Sequence, residues 1–192
     1  MDPSELQATI EAAKAGRSEG YQAILAAYGS RLYGYFYRAT GDRHDAEDLL
    51  SEVMLRLVRM LPGYDERGRF EPWLFRIAAN LVRDRIRRRR AAPANFSLSA
   101  EPTEGFNLED TLAADDEPVE TDLLSQEASK HLLAALEQLD EGTRQMILLR
   151  HFAGMTFAEI SDMMDCPLGT ALAKVHRGLK ALRAKLERSY GQ

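Results

Sequence analysis

Apolar residues recur at three- and four-residue intervals through almost every segment of this 192-residue chain except one. This period is typical of amphipathic helices, and no segment shows the strict apolar–polar alternation expected of strands joined by turns. The exception, residues 92–122, contains three prolines and one glycine, and is longer than most connections inside a compact domain. We therefore predict an all-α fold of two small helical domains, residues 1–91 and 123–192, joined by a flexible acidic linker over residues 92–122.

Charge is segregated along the chain in the order basic, acidic, basic, although the formal net charge is only −5. Arg83–Arg90 holds six arginines and one aspartate, whereas residues 91–122 hold nine acids and no Lys or Arg. Residues 168–192 hold six Lys and Arg side chains and one acid. Basic blocks of this kind indicate nucleic-acid surfaces, to which the acidic linker is unsuited.

The residues that several other classes of protein need are missing. Cys166 is the single cysteine, so it excludes an internal disulfide, and the four histidines lack metal-ligand spacing. We interpret Cys166 as a packed small residue, with redox sensing as the alternative. No apolar run approaches the roughly 18 residues of a membrane span, and the N-terminus lacks a signal peptide pattern. We expect no enzymatic activity, no cofactor or metal, no membrane insertion and a cytoplasmic location.

A helix with an acidic outer face is predicted after Asp42, which is a natural N-cap. Its predicted buried stripe consists of Ala46, Leu50, Val53, Met54, Leu57, Val58 and Leu61. Its outer face, at i, i+3, i+4, i+7 spacing, consists of Asp45, Asp48, Leu49 and Glu52. Three acids around one leucine fit a basic protein helix with Leu49 as the apolar anchor, and a plain solvated acidic face is the alternative.

The next helix, beginning at or just before Pro72, carries a polar stripe opposite its buried side. At about 100° per residue the stripe consists of Trp73, Arg76, Asn80, Arg83, Arg87 and Arg90. An exposed indole can stack on an unpaired base, and guanidinium groups hold phosphates in bidentate fashion. The stripe therefore favours a grip on partly single-stranded DNA, with a core-packed Trp73 as the alternative.

The C-terminal segment has the helix-turn-helix pattern. Thr156 and Glu159 form a capping box that opens a short helix, and residues 165–169 break it before a longer helix over residues 170–186. The predicted apolar seam consists of Leu168, Leu172, Val175, Leu179, Leu182 and Leu186. Away from the seam lie Thr170, Ala173, Lys174, His176, Arg177 and Lys180, as major-groove docking requires. A helical hairpin with a solvated basic face is the alternative.

Taken together, these segments resemble the small two-domain extracytoplasmic-function group of bacterial sigma factors. The N-terminal resemblance runs from Tyr28 to about Arg90, with GDRHDAEDL at residues 41–49 and WLFRIAAN at residues 73–80. The C-terminal resemblance runs over residues 132–186 and is sharpest in GMTFAEI at residues 154–160 and in Gly169-Thr170. The ordered set covers about 120 of the 192 residues.

The resemblance implies a bacterial sigma factor that binds core RNA polymerase and directs promoter-specific initiation, held in check by an anti-sigma factor. It implies that Asp45, Asp48, Leu49 and Glu52 bind core polymerase. It implies minus-ten contacts by Trp73, Arg76, Asn80, Arg83 and Arg87, with the loop over residues 63–70 and Asn80 receiving a flipped base. It implies minus-thirty-five contacts by Thr170, Ala173, Lys174, His176 and Arg177, with the linker in the polymerase channel.

Two departures from the family pattern qualify these expectations. Ser51 occupies a position that is often Gln, and Leu172 and Ala173 occupy positions that are often polar. We therefore expect minus-thirty-five recognition to depend on Lys174, His176, Arg177 and DNA shape.

Three other functions compete with this interpretation. The main one is a helix-turn-helix repressor or activator that works without polymerase, which leaves the acidic face and Trp73 unexplained. An enzyme acting on nucleic acid lacks a supporting motif, and a protein-only adaptor leaves both basic segments unexplained.

Overall fold

The computed structural model describes residues 1–65, 68–91 and 119–190, with side chains described from Ala128 to Arg188 in the last of these ranges. Within these ranges the chain forms helices and no strand, which confirms the predicted all-α class. The helices are α1 (Pro3–Lys14), α2 (Ser18–Thr40), α3 (Arg43–Met60), α4 (Phe70–Ala91), α5 (Val119–Glu137), α6 (Glu141–Phe152), α7 (Phe157–Met163) and α8 (Leu168–Tyr190). None of these described helices combines the length and apolar character needed to cross a bilayer. Most of the predicted linker, residues 92–118, lies outside the described ranges.

The turn between α2 and α3 is set by two adjacent residues. Gly41 ends α2 with a φ of 73°, a left-handed conformation that glycine adopts without a side-chain penalty. The side chain of Asp42 then accepts a hydrogen bond from the backbone N–H of Asp45 at 2.8 Å, as the sequence predicts for an N-cap. Because the chain reverses within these residues, α3 packs closely along α2.

The first four helices form an N-terminal unit around the long helix α2, which packs against the other three. Aromatic side chains fill its centre, and Tyr35, Phe36, Phe70 and Phe75 are fully or almost fully buried. The ring of Phe75 meets Tyr35 edge-on, with centroids 5.8 Å apart, and burial raises the pKa of the Tyr35 phenol well above its ordinary range. This core fixes α3 and α4 so that their remaining faces point outward.

The last four helices, α5 to α8, form a C-terminal unit, in which α7, a short turn and α8 make the predicted helix-turn-helix. Thr156 and Glu159 form the predicted capping box: the Glu159 carboxylate accepts from the Thr156 backbone at 2.7 Å, and the Thr156 hydroxyl accepts from the Glu159 backbone at 3.2 Å. In the turn, Asp165 has a φ of 49°, and the Ser161 hydroxyl donates to the carbonyl of Cys166 at 2.6 Å. Cys166 packs partly against the core.

The buried face of α8 differs from the predicted leucine seam. Ala171, Val175, Gly178 and Leu182 face the core, whereas three leucines of the predicted seam, Leu168, Leu172 and Leu179, are 47%, 43% and 50% exposed. The cause is a close crossing with α6, where a Cβ on Gly178 would lie 2.5 Å from Cγ2 of Thr143. Since α8 approaches α6 through its small residues, the leucines fall on the flank of the contact.

The two units also pack directly against each other, mainly through α2 and α6. Phe152, the last residue of α6, lies over Gly34 of α2, and its backbone carbonyl accepts a hydrogen bond from Arg31. The side chain of Arg90 at the end of α4 forms an ion pair with Glu141 at the start of α6, at 2.7 Å. In the described part of the chain, α2 and α4 of the N-terminal unit therefore contact α6 of the C-terminal unit.

Candidate nucleic-acid and protein interfaces

The basic stripe of α4 is exposed, as the sequence predicts. Arg76, Asn80, Arg83, Arg87 and Arg90 all lie on the outer side of the helix, opposite the buried Leu74, Ile77, Ala78, Leu81 and Val82. Two of these arginines are held in place along the same helix. Arg83 donates to the side-chain oxygen of Asn80 at 3.2 Å, and Arg87 pairs with Asp84 at 2.9 Å. The result is a row of guanidinium groups whose spacing follows the helix repeat, which suits a phosphate backbone.

Trp73 differs from its expected position, because it is half-buried rather than fully exposed at the head of the row. Its ring packs on Tyr64 with centroids 4.3 Å apart and lies 5.7 Å from Phe70. Tyr64 and Phe70 lie at the two ends of the loop that precedes α4. Their rings cover part of Trp73, which the helix period alone places on the outer side of α4. Of the loop predicted to receive a flipped base, residues 66–67 lie outside the described residues.

A second set of arginines on α4 points toward α3 and changes the role of Asp45. Arg85 and Arg89 reach the two oxygens of the Asp45 carboxylate at 2.7 and 2.6 Å. Asp45 is only 6% exposed, so the expectation that it belongs to an outward acidic face is wrong. The reason is that α4 packs against the start of α3, so the Asp45 carboxylate lies between two guanidinium groups and accepts from both.

The outer face of α3 is acidic in its first half and apolar in its second half. Asp48 and Glu52 remain accessible, with 66% and 33% of their side chains exposed, while Leu49 is fully buried. The prediction that Leu49 is an exposed anchor is therefore wrong, and so is the prediction that Val58 belongs to the buried stripe. Leu55 and Val58 are 60% and 48% exposed and supply the apolar part of this face. Sequence reasoning missed Leu55, although it lies about 180° from Ala46 at 100° per residue.

On α8, three of the five predicted DNA-facing residues are exposed. Ala173, His176 and Arg177 are exposed, and Thr170 in the first turn is half-buried. Lys174 is half-buried and is drawn toward α6, with its Nζ 3.6 Å from the carboxylate of Asp140. This face therefore presents one unpaired guanidinium, one imidazole and a small residue near the helix start, within the part of the chain that the structure describes.

Two carboxylates of the C-terminal unit have lowered pKa values. For Glu159, partial burial on its own would raise the pKa, but hydrogen bonds from the Thr156 backbone N–H, from Arg69 and from the Thr156 hydroxyl outweigh it. For Asp140, hydrogen bonding to Thr143 is the largest cause, and Lys174 adds to it. Both groups are therefore negatively charged at neutral pH.

An apolar groove between α5, α6 and α8 is a feature that the sequence analysis did not predict. It has a volume of about 1120 Å³. Its apolar lining consists of Leu132, Leu136, Ile147, Leu148, Phe152, Val175, Leu179, Leu182 and Leu186, and Arg38, Arg150, His151, Arg183 and Glu187 complete it. The signal for it was the set of leucines on the flank of α8. Among the described residues, no group of three or more His, Cys, Asp or Glu side chains could hold a metal ion.

Two regions of the chain match known families. Residues 24–92, which include α3 and α4, match Sigma-70 region 2, and residues 129–182, which include the start of α8, match Sigma-70 region 4. The chain is also 31% identical over 179 residues to the ECF RNA polymerase sigma factor SigW of Bacillus subtilis, covering 92% of this chain and 94% of that protein. The chain belongs to the extracytoplasmic-function (ECF) family of RNA polymerase sigma factors. The resemblance found from the sequence is confirmed.

This sigma factor is similar to further relatives and to solved structures. It is 30% identical over 177 residues to RNA polymerase sigma factor CarQ of Myxococcus xanthus, covering 92% of this chain and 95% of that protein. Its fold matches CnrH in complex with the cytosolic domain of CnrY, with a TM-score of 0.62, 19% identity and coverage of 94% and 96%. It also matches the sigma factor RpoE in complex with the anti-sigma factor NepR from Bartonella quintana, with a TM-score of 0.62, 18% identity and coverage of 87% and 96%. At these identities the structural likeness establishes the shared fold.

Proposed function

We propose that this sigma factor binds core RNA polymerase in the bacterial cytoplasm and directs it to promoters through two DNA-binding units. The N-terminal unit, proposed as residues 1–91, reads and melts the minus-ten element, and the C-terminal unit, proposed as residues 123–192, reads the minus-thirty-five element. One observation carries the proposal: the same chain exposes an arginine row on α4, a basic face on α8 and an acidic and apolar face on α3. A repressor needs only the first two surfaces. The proposed role is regulatory, without a reaction or a cofactor.

The proposed polymerase-binding surface is the outer face of α3. Asp48 and Glu52 supply the negative charge, and Leu55 and Val58 supply the apolar contact that the sequence assigned to Leu49. Acidic groups beside an apolar patch fit a basic amphipathic helix of a partner, since charge steers the encounter and buried apolar area supplies most of the affinity. Asp45 has an indirect role, because it positions Arg85 and Arg89 on α4.

The proposed minus-ten surface is the exposed side of α4. Arg76, Arg83 and Arg87 hold backbone phosphates, and Asn80 and the accessible part of Trp73 lie beside the opened bases. The contact between the Tyr64 and Trp73 rings supports this role, because it fixes the indole at the edge of the row. Stacking on an aromatic ring stabilises an unpaired base by about 1–3 kcal/mol, comparable to the cost of unstacking it from the duplex.

The proposed minus-thirty-five surface is the outer face of α8. Arg177 and His176 reach base edges or phosphates, Ala173 allows a close approach to the groove, and Thr170 lies in the first turn. Lys174 contributes once it leaves Asp140, from which it is separated by 3.6 Å. With few base-edge donors available, DNA shape carries part of the recognition.

We also propose that an anti-sigma factor binds this sigma factor. Two solved structures with the same fold are complexes, one with the cytosolic domain of CnrY and the other with the anti-sigma factor NepR. The apolar groove of the C-terminal unit, with Arg38, Arg150 and Arg183 among its residues, offers such a partner an apolar surface flanked by positive charge.

Transcription with purified core polymerase on a library of promoter sequences tests the proposed function. We expect run-off transcripts from templates that share two sequence elements, with Arg87→Ala weakening selection at the downstream element and Arg177→Ala weakening it at the upstream one. Each effect is expected to be about 10-fold in initiation rate, as for loss of one charged contact worth about 1–2 kcal/mol. Arg17→Ala, which removes an exposed arginine outside all three surfaces, is the matched control.

Two outcomes would contradict this assignment. Equal damage to both elements by Arg87→Ala and Arg177→Ala would mean that the two basic faces do not read separate sites. Tight binding of an operator by the chain alone, without any transcription when core polymerase is added, would favour the repressor or activator instead.

A further inference from the structure

We infer that Leu168 and Leu172, two exposed leucines at the start of α8, recognise thymine in the minus-thirty-five element by packing against its 5-methyl group in the major groove. The inference rests on the proposed function, because it names the base that the proposed minus-thirty-five surface selects. Both leucines lie outside the set of residues assigned to that surface above. They add an apolar contact to a surface that has few base-edge donors.

The first two turns of α8 present an apolar surface to solvent. Leu168 and Leu172 are one turn apart, and the small residues Gly169 and Ala173 beside them are exposed as well. A Cβ placed on Gly169 would have no atom within 4 Å, so this side of the helix is open. The opposite side of the same turns packs on the core through Ala171, which is fully buried. The four exposed residues therefore form an apolar tip that the C-terminal unit itself leaves uncovered.

The apolar tip continues into the basic part of α8, which favours DNA as its occupant. His176 follows Leu172 by four residues, so the two side chains are neighbours, about 40° apart around the helix. Arg177 and Lys180 are exposed further along. A recognition helix meets base edges with its N-terminal residues, and cations beyond them neutralise phosphates. The order along α8, apolar first and basic second, matches this arrangement.

Thymine is the base whose chemistry fits an apolar tip. Base pairs present donors and acceptors in the major groove, and the thymine 5-methyl is the one apolar group among them. Leucine neither donates nor accepts a hydrogen bond, so against another base it would only remove water from polar groups. The small Gly169 and Ala173 let the helix approach closely enough for the leucines to touch the methyl groups. Burial of one methyl group corresponds to a preference of about 4-fold.

Replacing thymine by deoxyuridine tests the inference, because deoxyuridine lacks only the 5-methyl group and keeps every hydrogen-bonding group. A promoter is first selected with core polymerase and the full-length chain, and each thymine of its upstream element, on either strand, is then replaced in turn. Fluorescence anisotropy measures the affinity of the holoenzyme for each labelled template. We expect at least one replacement to weaken binding by the wild type about 4-fold. The double variant Leu168→Ala, Leu172→Ala should bind the thymine and deoxyuridine templates equally.

Leu179→Ala is the matched control, because it makes the same truncation at a leucine of the same helix that is 50% exposed, against 43% for Leu172. Leu179 lies two turns beyond Leu172, about 10 Å along the axis, and lines the apolar groove instead. Its ratio of affinities for the thymine and deoxyuridine templates should equal that of the wild type. Circular dichroism checks that each variant keeps its helices, which alanine favours. The wild-type measurement needs no variant, so the inference remains testable if a variant unfolds.

The outcomes separate this inference from the proposed function. Run-off transcription by the wild type with no response to deoxyuridine at any position would overturn the inference while the function stands. An equal response in the wild type and the double variant would also overturn it, since other residues would then contact the methyl groups. A double variant that keeps the thymine preference but binds core polymerase more weakly would place the leucines in a protein interface instead. If the wild type supports no transcription, the proposed function fails and the inference fails with it.

Discussion

Three side chains on α3 show how position along one helix separates stability from function. Asp45, Leu49 and Leu55 all lie within three turns, yet the first pairs with two arginines, the second fills the core and the third faces solvent. Relative to the buried Ala46, Leu49 is displaced by about 60° and Leu55 by about 180° at 100° per residue. The two leucines therefore have different neighbours and should respond differently to the same truncation.

Truncating each leucine to alanine tests this separation. Leu49→Ala should lower the free energy of unfolding by about 2–5 kcal/mol, because it leaves a cavity in the core. Leu55→Ala should change it by less than about 0.5 kcal/mol, but should weaken binding to core polymerase by roughly 10-fold if Leu55 anchors the partner. Urea denaturation and fluorescence titration with core polymerase measure the two effects. A large loss of stability in Leu55→Ala with unchanged polymerase binding would contradict this assignment, and would mean that Leu55 packs in the core.

Among the elements, the crossing of α6 and α8 determines how the helix-turn-helix is held. The crossing places Gly178 against Thr143 and Ile147, with hypothetical Cβ distances of 2.5 and 2.7 Å to their side chains. Real Cβ atoms do not approach other atoms so closely, and core packing does not accommodate an extra methyl group without shifts. The orientation of the basic face of α8 therefore depends on a residue that has no side chain.

Alanine substitutions at two glycines of α8 test the close crossing of α6 and α8. Gly178→Ala should destabilise the C-terminal unit by about 1–3 kcal/mol, because overpacking outweighs the gain in helix propensity. Gly169→Ala, where no atom lies within 4 Å of the new Cβ, should be neutral or slightly stabilising. Thermal denaturation followed by circular dichroism compares them. Equal melting temperatures for the two variants would contradict the close crossing of α6 and α8.

For the whole molecule, charge segregation is the feature that relates its surfaces to its proposed partners. The net charge of −5 conceals an arginine row on α4, a basic outer face on α8 and an acidic half-face on α3. Such separation allows one chain to attract DNA and a basic protein surface at the same time, which a uniform distribution would not. Ionic strength therefore provides a measure of how many basic groups meet phosphates.

The salt dependence of promoter binding tests the α4 row. With core polymerase present, the logarithm of promoter affinity should fall linearly with the logarithm of salt concentration. Arg87→Ala should reduce that slope by about 0.7–0.9, the value for one phosphate contact, whereas Arg17→Ala should leave it unchanged. Filter binding or fluorescence anisotropy at four salt concentrations gives the slopes. Identical slopes for the wild type and Arg87→Ala would exclude a phosphate contact by Arg87.

Much of the secondary structure and of the family assignment was accessible from local patterns in the sequence. Asp42 as an N-cap, the capping box of Thr156 and Glu159, and the exposed arginine row of α4 are all found where they were predicted. Each depends on residues within one or two helical turns, so the physics that sets them is contained in a short window of sequence.

Tertiary packing decided whether the residues at the boundary between the apolar and polar sides of a helix are buried or exposed. Periodicity shows which side of α3 is apolar, but it cannot show how far the neighbouring helices extend around it, and so it misplaced Asp45, Leu49 and Val58. Trp73 became half-buried because Tyr64, nine residues away, packs on its ring. The contact of Phe152 with Gly34 joins residues more than a hundred positions apart. Such contacts depend on the positions of whole helices, which only the assembled fold determines.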